Sequence, residues 1–267
     1  MHNLAPQYFE RRKQLIKYKY DFDLIKTTNT TVIKYLDQKE MYSLGFIQQK
    51  YLYLFQEIKK ETHKNLISNN ITDMEDHSKD ANYFRFNGIP ISKKIGETHT
   101  FNNCLEFDIN KAYYKAALNL GFISEEYYFK YITLPKEIRL KLIGALGTNK
   151  AHFTYEKGKL KNIQHLNDQL LRKCWFSIVN EIDNVLRFFA SRLGEDFIFY
   201  WVDGIYCKYS DASEEILKEV SEYFGYDFSA DFIDKIEVKR TDKNVCNVSV
   251  KMSGGRNKTF FTKNIFL

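Results

Sequence analysis

The spacing of apolar residues divides the chain into a helical beginning and a mixed remainder. Over about the first 70 residues, apolar positions such as Leu54 and Ile58 recur at the three- and four-residue spacing of a helix, with Gln and Lys between them. Residues 69–80 are polar and acidic, which favours a linker or loop. We therefore predict a helical N-terminal region, residues 1–80, and a second domain, residues 81–267.

Strands and helices alternate in the predicted second domain. Gly121 is predicted to end one helix, whereas Ser124 and Pro135 begin two others. After them we predict a hairpin (152–163), a long amphipathic helix (166–192), a hairpin around Asp203, a helix capped near Ser210, and strands at 233–239, 245–251 and 258–261. This order predicts an α+β fold in which an antiparallel sheet carries helices on one face.

Two aspartates each lie in a short apolar frame that is typical of a buried strand. Asp108 lies in C-L-E-F-D-I, and Asp203 lies in F-I-F-Y-W-V-D-G-I-Y. Burying a carboxylate is costly unless it is paired or binds a metal. Two such strands side by side would form a two-carboxylate cation site, which is the chemistry of magnesium-dependent phosphoryl transfer. The alternative is that each aspartate only ends a strand and caps the following turn.

Composition narrows the class of protein and its location. The formal net charge of +6 over 267 residues suits a polyanionic partner. The four cysteines are far apart and form no C-x-x-C, which argues against a zinc site or a disulfide framework and favours a reducing compartment. No apolar run approaches membrane-spanning length and no signal-peptide core is present, so we expect a cytoplasmic protein without a membrane partner. Its compactness and AT-rich type of composition favour a bacterial or phage-infected cell.

The segment from Asp108 to Tyr114, D-I-N-K-A-Y-Y, resembles the first palm motif of family B DNA polymerases, D-x-x-S-L-Y-P. The resemblance implies that Asp108 binds a metal ion and that Asn110 and Tyr113 contact the incoming nucleotide. Tyr113 would pack under the sugar and exclude ribose. The alternative is a core tyrosine whose hydroxyl has a hydrogen-bond partner. Lys111 and Tyr114 replace the serine and proline of the motif.

The segment from Arg139 to Gly147, R-L-K-L-I-G-A-L-G, is similar to the second motif, K-x-x-x-N-S-x-Y-G. Arg139 would take the place of the lysine that grips the triphosphate, a role that suits the bidentate guanidinium. The asparagine and tyrosine of the motif are absent. The alternative is that Arg139 is a solvated residue on a short helix.

The segment from Tyr200 to Tyr206, Y-W-V-D-G-I-Y, resembles the third motif, Y-x-D-T-D-S-V-F. The alignment puts Asp203 on the second aspartate of the motif, which holds metal, and Trp201 on the first. Glu106 shares a strand face with Asp108 and would be an auxiliary metal ligand that compensates for Trp201. The alternative is that Glu106 pairs with a nearby Lys or Arg.

Basic residues of the C-terminal strands are candidates for contact with nucleic acid. Lys251 is similar in position to the basic motif that touches the primer end, and Lys239 and Arg240 are alternative candidates for that role. The basic loop Ser253–Lys258 would follow a template or primer backbone through phosphate contacts. An ordinary hairpin turn is the alternative.

Taken over all three motifs, the resemblance implies a minimal family-B-like DNA polymerase, which is a nucleotidyltransferase with very short fingers and no full thumb. It would add dNTPs to a 3′ hydroxyl of a DNA primer–template or single-stranded nucleic acid by two-metal phosphoryl transfer, using Mg²⁺ or Mn²⁺, in priming or in phage or mobile-element replication. One alternative is an inactive, polymerase-derived protein that binds nucleic acid. Another is a subunit whose protein partner supplies the missing subdomains. A wide gap between Asp108 and Asp203, or a lysine ion-paired into that gap, would favour the inactive alternative.

Overall fold

The computed structural model describes residues 6–27, 30–43, 51, 53–71, 74–77, 95–148, 150–166, 168–242 and 245–263. The chain forms two compact units, the first made of Met1–Glu75 and Gly121–Phe176, the second of Asp76–Leu120 and Ser177–Leu267. Each unit contains an antiparallel sheet together with helices. The predicted α+β class is therefore confirmed. The predicted boundary between residues 80 and 81 lies outside the described residues, and so does part of the predicted turn at 242–244.

The first unit is built on a five-stranded sheet with the strand order β3-β2-β1-β5-β6. Its strands are β1 (Phe22–Lys26), β2 (Thr30–Tyr35), β3 (Gln38–Ser43), β5 (Ala151–Glu156) and β6 (Lys159–His165). Its helices are α1 (Pro6–Lys17), α2 (Leu54–Ser68), α4 (Glu125–Ile132) and α5 (Lys136–Gly144). Helix α6 (Gln169–Leu193) begins in this unit and ends in the other.

The prediction of a helical N-terminal region is wrong over Phe22–Lys26, Thr30–Tyr35 and Gln38–Ser43, which form β1, β2 and β3. Phe22 and Leu24 are buried on alternate positions of β1, a period of two that fits a strand. Strand β2 contains the β-branched run T-T-V-I, whose side chains fit the pleated surface of a sheet better than a helix. The helical prediction holds for α1 and α2.

Capping residues act at the helix boundaries that were predicted from sequence. The Ser124 side chain accepts a hydrogen bond from the backbone N–H of Tyr127 and so caps α4. Pro135 directly precedes α5, and Gly121, with a φ of 71°, follows helix α3 (Ala112–Asn119). Ser210 caps helix α7 (Asp211–Phe224) in a reciprocal arrangement with Ser213.

The second unit is built on a six-stranded antiparallel sheet with the strand order β11-β10-β9-β4-β8-β7. Its strands are β4 (Thr98–Ile109), β7 (Phe197–Trp201), β8 (Gly204–Lys208), β9 (Phe228–Asp242), β10 (Val245–Met252) and β11 (Asn257–Lys263). Its helices are α3 (Ala112–Asn119), α7 (Asp211–Phe224) and the C-terminal part of α6.

The two faces of this sheet have different partners. On one face, Phe107 of β4 stacks on Phe189 of α6, and the Tyr200 hydroxyl donates to the buried Asp183 carboxylate of α6 at 2.8 Å. The other face carries what we call the core cluster, which consists of Cys104, Ile198, Phe199, Tyr206, Ile233, Ile236, Val238, Cys246, Val248, Val250 and Met252. Burial of both faces explains why the frames around the two candidate aspartates are so apolar.

No helix in the described part of the chain is both long and apolar enough to cross a membrane.

Candidate functional site

The two candidate aspartates come together because β4 and β8 are neighbouring strands. Asp108 of β4 is the cross-strand partner of Gly204 of β8. One residue further on, the backbone N–H of Ile109 donates to the carbonyl oxygen of Asp203 at 2.9 Å. The sheet register therefore places Asp108 and Asp203 at adjoining backbone positions. We refer to Glu106, Asp108 and Asp203 together as the carboxylate site.

Gly204 leaves open space between the carboxylates of β4. A Cβ at Gly204 would lie 3.4 Å from Glu106 Oε1 and 3.5 Å from Asp108 Oδ1. The two carboxylate oxygens therefore flank the same small volume. A larger side chain at this position would fill the space that an ion needs between them.

Asp203 lies in a tight, strained hairpin loop. Trp201 and Gly204 are cross-strand partners, so only Val202 and Asp203 form the loop between β7 and β8. The φ angle of Val202 is 60°, a left-handed conformation that β-branched residues rarely adopt. Such a backbone persists only where its surroundings hold it, here through the bond from Ile109 to Asp203. The loop is therefore held in a fixed place beside β4.

The buried phenol of Tyr206 lies in the field of all three carboxylates. Burial raises the pKa of Tyr206 far above its ordinary value, and the charge of Glu106, its hydrogen bond, and the charges of Asp108 and Asp203 raise it further. The Tyr206 hydroxyl donates to Glu106 Oε1 at 2.7 Å. The phenol is therefore a neutral donor that orients Glu106 towards the site.

Glu106 is held by a lysine from the far edge of the sheet. Lys258 Nζ of β11 lies 2.6 Å from each Glu106 oxygen. Strands β10 and β9 separate β11 from β4, so the sheet must curl strongly for this contact to form. The ion pair matches the alternative prediction for Glu106, in which it pairs with a lysine. The lysine is bound to Glu106, and both aspartates make interactions of their own.

The oxygen-rich chemistry of the site fits a hard divalent cation. Carboxylate oxygens are the protein ligands that Mg²⁺ and Mn²⁺ prefer. Among the described residues, no group of three or more His, Cys, Asp or Glu side chains has the arrangement of a metal centre. Glu106 is engaged by Lys258, so a cation at the carboxylate site would have Asp108 and Asp203 as its protein ligands. Metal binding by all three residues stays a prediction.

The predicted nucleotide contacts Asn110 and Tyr113 follow β4 directly. Asn110 is exposed, and its backbone N–H donates to the carbonyl of Asp227 at 2.8 Å. Lys111, with a φ of 57°, turns the chain into α3, where Tyr113 is half-buried. These residues lie in the same unit as the carboxylate site, immediately after Asp108. Their roles stay predictions.

Arg139 lies on α5 of the first unit and is half-buried. Arg139 takes part in an interaction within the protein. The predicted grip on a triphosphate stays a prediction.

The predicted nucleic-acid contacts occupy different faces of the second sheet. Lys239 and Lys251 each follow a buried valine of the core cluster, so strand alternation puts them on the opposite face. Glu106 bonds to Tyr206 of the core cluster and thus lies on the cluster's face. Arg240 shares that face but lies near the end of β9. The structure does not bring Lys239 and Lys251 to the carboxylates, and binding by all three basic residues stays a prediction.

Sequence reasoning missed Lys258 as a site residue, although it placed Lys258 both at the end of a basic loop and at the start of a predicted strand. Lys258 is a strand residue of β11 and the cross-strand partner of the buried Val250. Pairing the two predicted strands across the S-G-G turn would have placed Lys258 opposite the inward-facing Val250, and hence on the face of the sheet that carries the core cluster. The register of the last hairpin is the sequence signal that could have identified it.

Comparison with solved structures gives a weak similarity to a DNA polymerase. No protein-family model matches the chain, and no curated protein matches it. Among solved structures, the chain is similar to the family B DNA polymerase from the hyperthermophilic archaeon Pyrobaculum calidifontis, with a TM-score of 0.38 and 12% sequence identity. The match covers 65% of this chain and 28% of that polymerase. The chain therefore spans little more than a quarter of the polymerase's length.

Proposed function

We propose that the second unit is a reduced polymerase palm that transfers nucleotides from dNTPs to a 3′ hydroxyl. The observation that carries this proposal is the adjacency of Asp108 and Asp203 across β4 and β8, beside the open space at Gly204. Buried sheets rarely bring carboxylates together without a cation, because their mutual repulsion and desolvation are costly. The resemblance of three sequence segments to polymerase motifs indicates which reaction this site would perform.

Each residue has a defined task under this proposal. Asp108 and Asp203 hold Mg²⁺ or Mn²⁺, which when bound polarises the phosphoryl group and acidifies the attacking hydroxyl. Tyr113 excludes the ribose 2′ hydroxyl by bulk. Tyr206, as a neutral phenol, keeps the Glu106 carboxylate in one orientation. In this class of reaction the protein contributes positioning and electrostatics rather than covalent chemistry.

The test is incorporation of labelled dNTPs or NTPs into primed and unprimed strands, with Mg²⁺ or Mn²⁺. Asp108→Asn and Asp203→Asn should each lower incorporation at least about a thousandfold, because an amide cannot neutralise a divalent cation. Asp234→Asn is the matched control, since Asp234 is an exposed aspartate of β9 in the same sheet. Wild-type incorporation by either site variant, with the fold unchanged by circular dichroism, would remove the proposal.

A second candidate is a palm that binds nucleic acid without catalysis, alone or with a protein partner that supplies further subdomains. It is favoured by Trp201, which stands where the third motif has a carboxylate, and by the ammonium of Lys258 at Glu106. Under this alternative, the wild-type protein binds primer–template in a salt-dependent way but incorporates no nucleotide with either metal.

A further inference from the structure

A lysine ammonium is built into the carboxylate site. Lys258 Nζ contacts both oxygens of Glu106 at 2.6 Å, and one of these oxygens also accepts the Tyr206 hydroxyl. The Glu106 side chain is 5% exposed, whereas that of Lys258 is 40% exposed. The carboxylate is therefore buried and held by two donors, and the ammonium reaches it from the solvent side.

The Glu106 carboxylate lies between the Lys258 ammonium and Asp108. The Glu106 oxygen that Lys258 and Tyr206 share is the same oxygen that faces the space at Gly204, opposite Asp108 Oδ1. A positive charge held there acts on the whole site, because interactions between charges a few ångströms apart are strong in a partly buried environment.

The formal charges balance for a single divalent ion. Glu106, Asp108 and Asp203 carry three negative charges when ionised, and Lys258 neutralises one of them. Two negative charges remain, which one Mg²⁺ or Mn²⁺ neutralises. A second divalent ion would need a further carboxylate, and Trp201 stands at the position where the third motif supplies one.

We propose that Lys258 is a permanent cation of this site that takes the electrostatic place of a second divalent ion. Asp108 and Asp203 then bind one divalent ion, and Glu106 binds the lysine. This inference rests on the proposed function, since it assumes that the site holds a divalent cation. It changes the expected number of ions from two to one and makes β11 part of the site.

The experiment is a Mn²⁺ titration of the full chain, in which electron paramagnetic resonance measures free Mn²⁺. The wild-type protein should bind one Mn²⁺ that Asp108→Asn abolishes. Lys258→Met removes the ammonium and frees Glu106 as a ligand, so Mn²⁺ should bind at least about tenfold more tightly or in a second equivalent. Lys258→Arg keeps the charge and should behave as the wild type.

Lys235→Met is the matched control for loss of a lysine. Lys235 pairs with Glu237 on β9 of the same sheet at 2.6 Å, and its side chain is 42% exposed, close to the value for Lys258. This control should leave Mn²⁺ binding unchanged. If Lys258→Met does not fold, Lys258→Gln makes the same test, because it keeps a hydrogen-bond donor and removes only the charge.

The outcomes separate this inference from the proposed function. Unchanged Mn²⁺ affinity and stoichiometry in the folded Lys258→Met or Lys258→Gln variant would overturn the role of Lys258 and leave the metal site standing. Two Mn²⁺ ions in the wild-type protein, both lost in Asp108→Asn, would do the same. If no variant shows Mn²⁺ binding that depends on Asp108, the proposed function fails and this inference fails with it.

Discussion

Replacing Lys258 with methionine should destabilise the second unit, because it leaves the buried charge of Glu106 without its partner. Removing one member of a fully buried ion pair costs about 3–5 kcal/mol. The Lys258 side chain is 40% exposed, so water screens part of the interaction. Tyr206 continues to donate to the orphaned carboxylate. We therefore expect a loss of about 2 kcal/mol in the free energy of unfolding, or about 4–8 °C in Tm.

The same substitution at Lys235 sets the baseline for this loss. Glu237, the partner of Lys235, is 41% exposed, whereas Glu106 is 5% exposed. An exposed ion pair contributes about 0–1 kcal/mol, so Lys235→Met should be nearly neutral. The contrast between the two variants isolates the burial of the glutamate, because the two lysines have similar exposure.

The assay is urea unfolding followed by tryptophan fluorescence. Trp175 lies in the first unit and Trp201 in the second, so a Trp175→Phe background confines the signal to the second unit. The double variant Glu106→Gln/Lys258→Met should recover at least half of the loss, because it leaves no charge buried. A loss at Lys258 no greater than that at Lys235 would refute the reasoning, and so would a double variant that is less stable than Lys258→Met.

Three further predictions concern sugar choice, nucleic-acid affinity and acid stability. Tyr113→Ala should relax the choice between dNTPs and rNTPs, measured by incorporation; unchanged sugar preference with lower stability would make Tyr113 a packing residue only. Lys251→Ala should weaken binding to a labelled primer–template equally across sequences and make the salt slope shallower by about one unit, whereas binding insensitive to salt would contradict it. Burial opposes the ionisation of Glu40, but hydrogen bonds from Tyr42 and Arg11 outweigh it and lower its pKa below the ordinary 4.5. Ionised Glu40 therefore stabilises the folded state above that pH, and this contribution is lost as the pH falls through the lowered pKa. Glu40→Gln should weaken the fall of the free energy of unfolding at acid pH, measured by urea unfolding at a series of pH values. An unchanged fall in the variant would contradict this role of Glu40.

The elements of the second unit could be predicted because their signals are local. The apolar frames around Asp108 and Asp203, the cap at Ser210 and the stripe of α6 each lie within a single helix, strand or hairpin. Strands β1 to β3 could not be predicted in the same way. They are five or six residues long, and β1 pairs with β5, which lies more than a hundred residues further along the chain. A short strand is stabilised by its partner, so a local pattern identifies it poorly.

The site shows the same division between local and non-local information. Asp108 on a strand and Asp203 in a hairpin loop were both recognisable from sequence, and their adjacency follows from the pairing of β4 with β8. The contact between Lys258 and Glu106 depends instead on the curl of the sheet across two intervening strands. Curl arises from accumulated strand twist and from local irregularities such as Asn103 within β4, whose φ is 53°. No spacing rule along the chain encodes that distance.

Trp201 and Lys258 change the charge of the carboxylate site in the same direction. Trp201 puts an indole where the third motif has a carboxylate, and this indole packs against the core cluster. Lys258 neutralises a carboxylate that β4 retains. Each change makes the charge of the site more positive by one unit. The Trp201 side chain also holds the end of β7 in the sheet, and the Lys258 side chain holds the edge strand β11. Under the proposed function, such a site would need fewer ions from solution, because the fold itself would supply part of the positive charge that developing negative charge on a phosphoryl group requires.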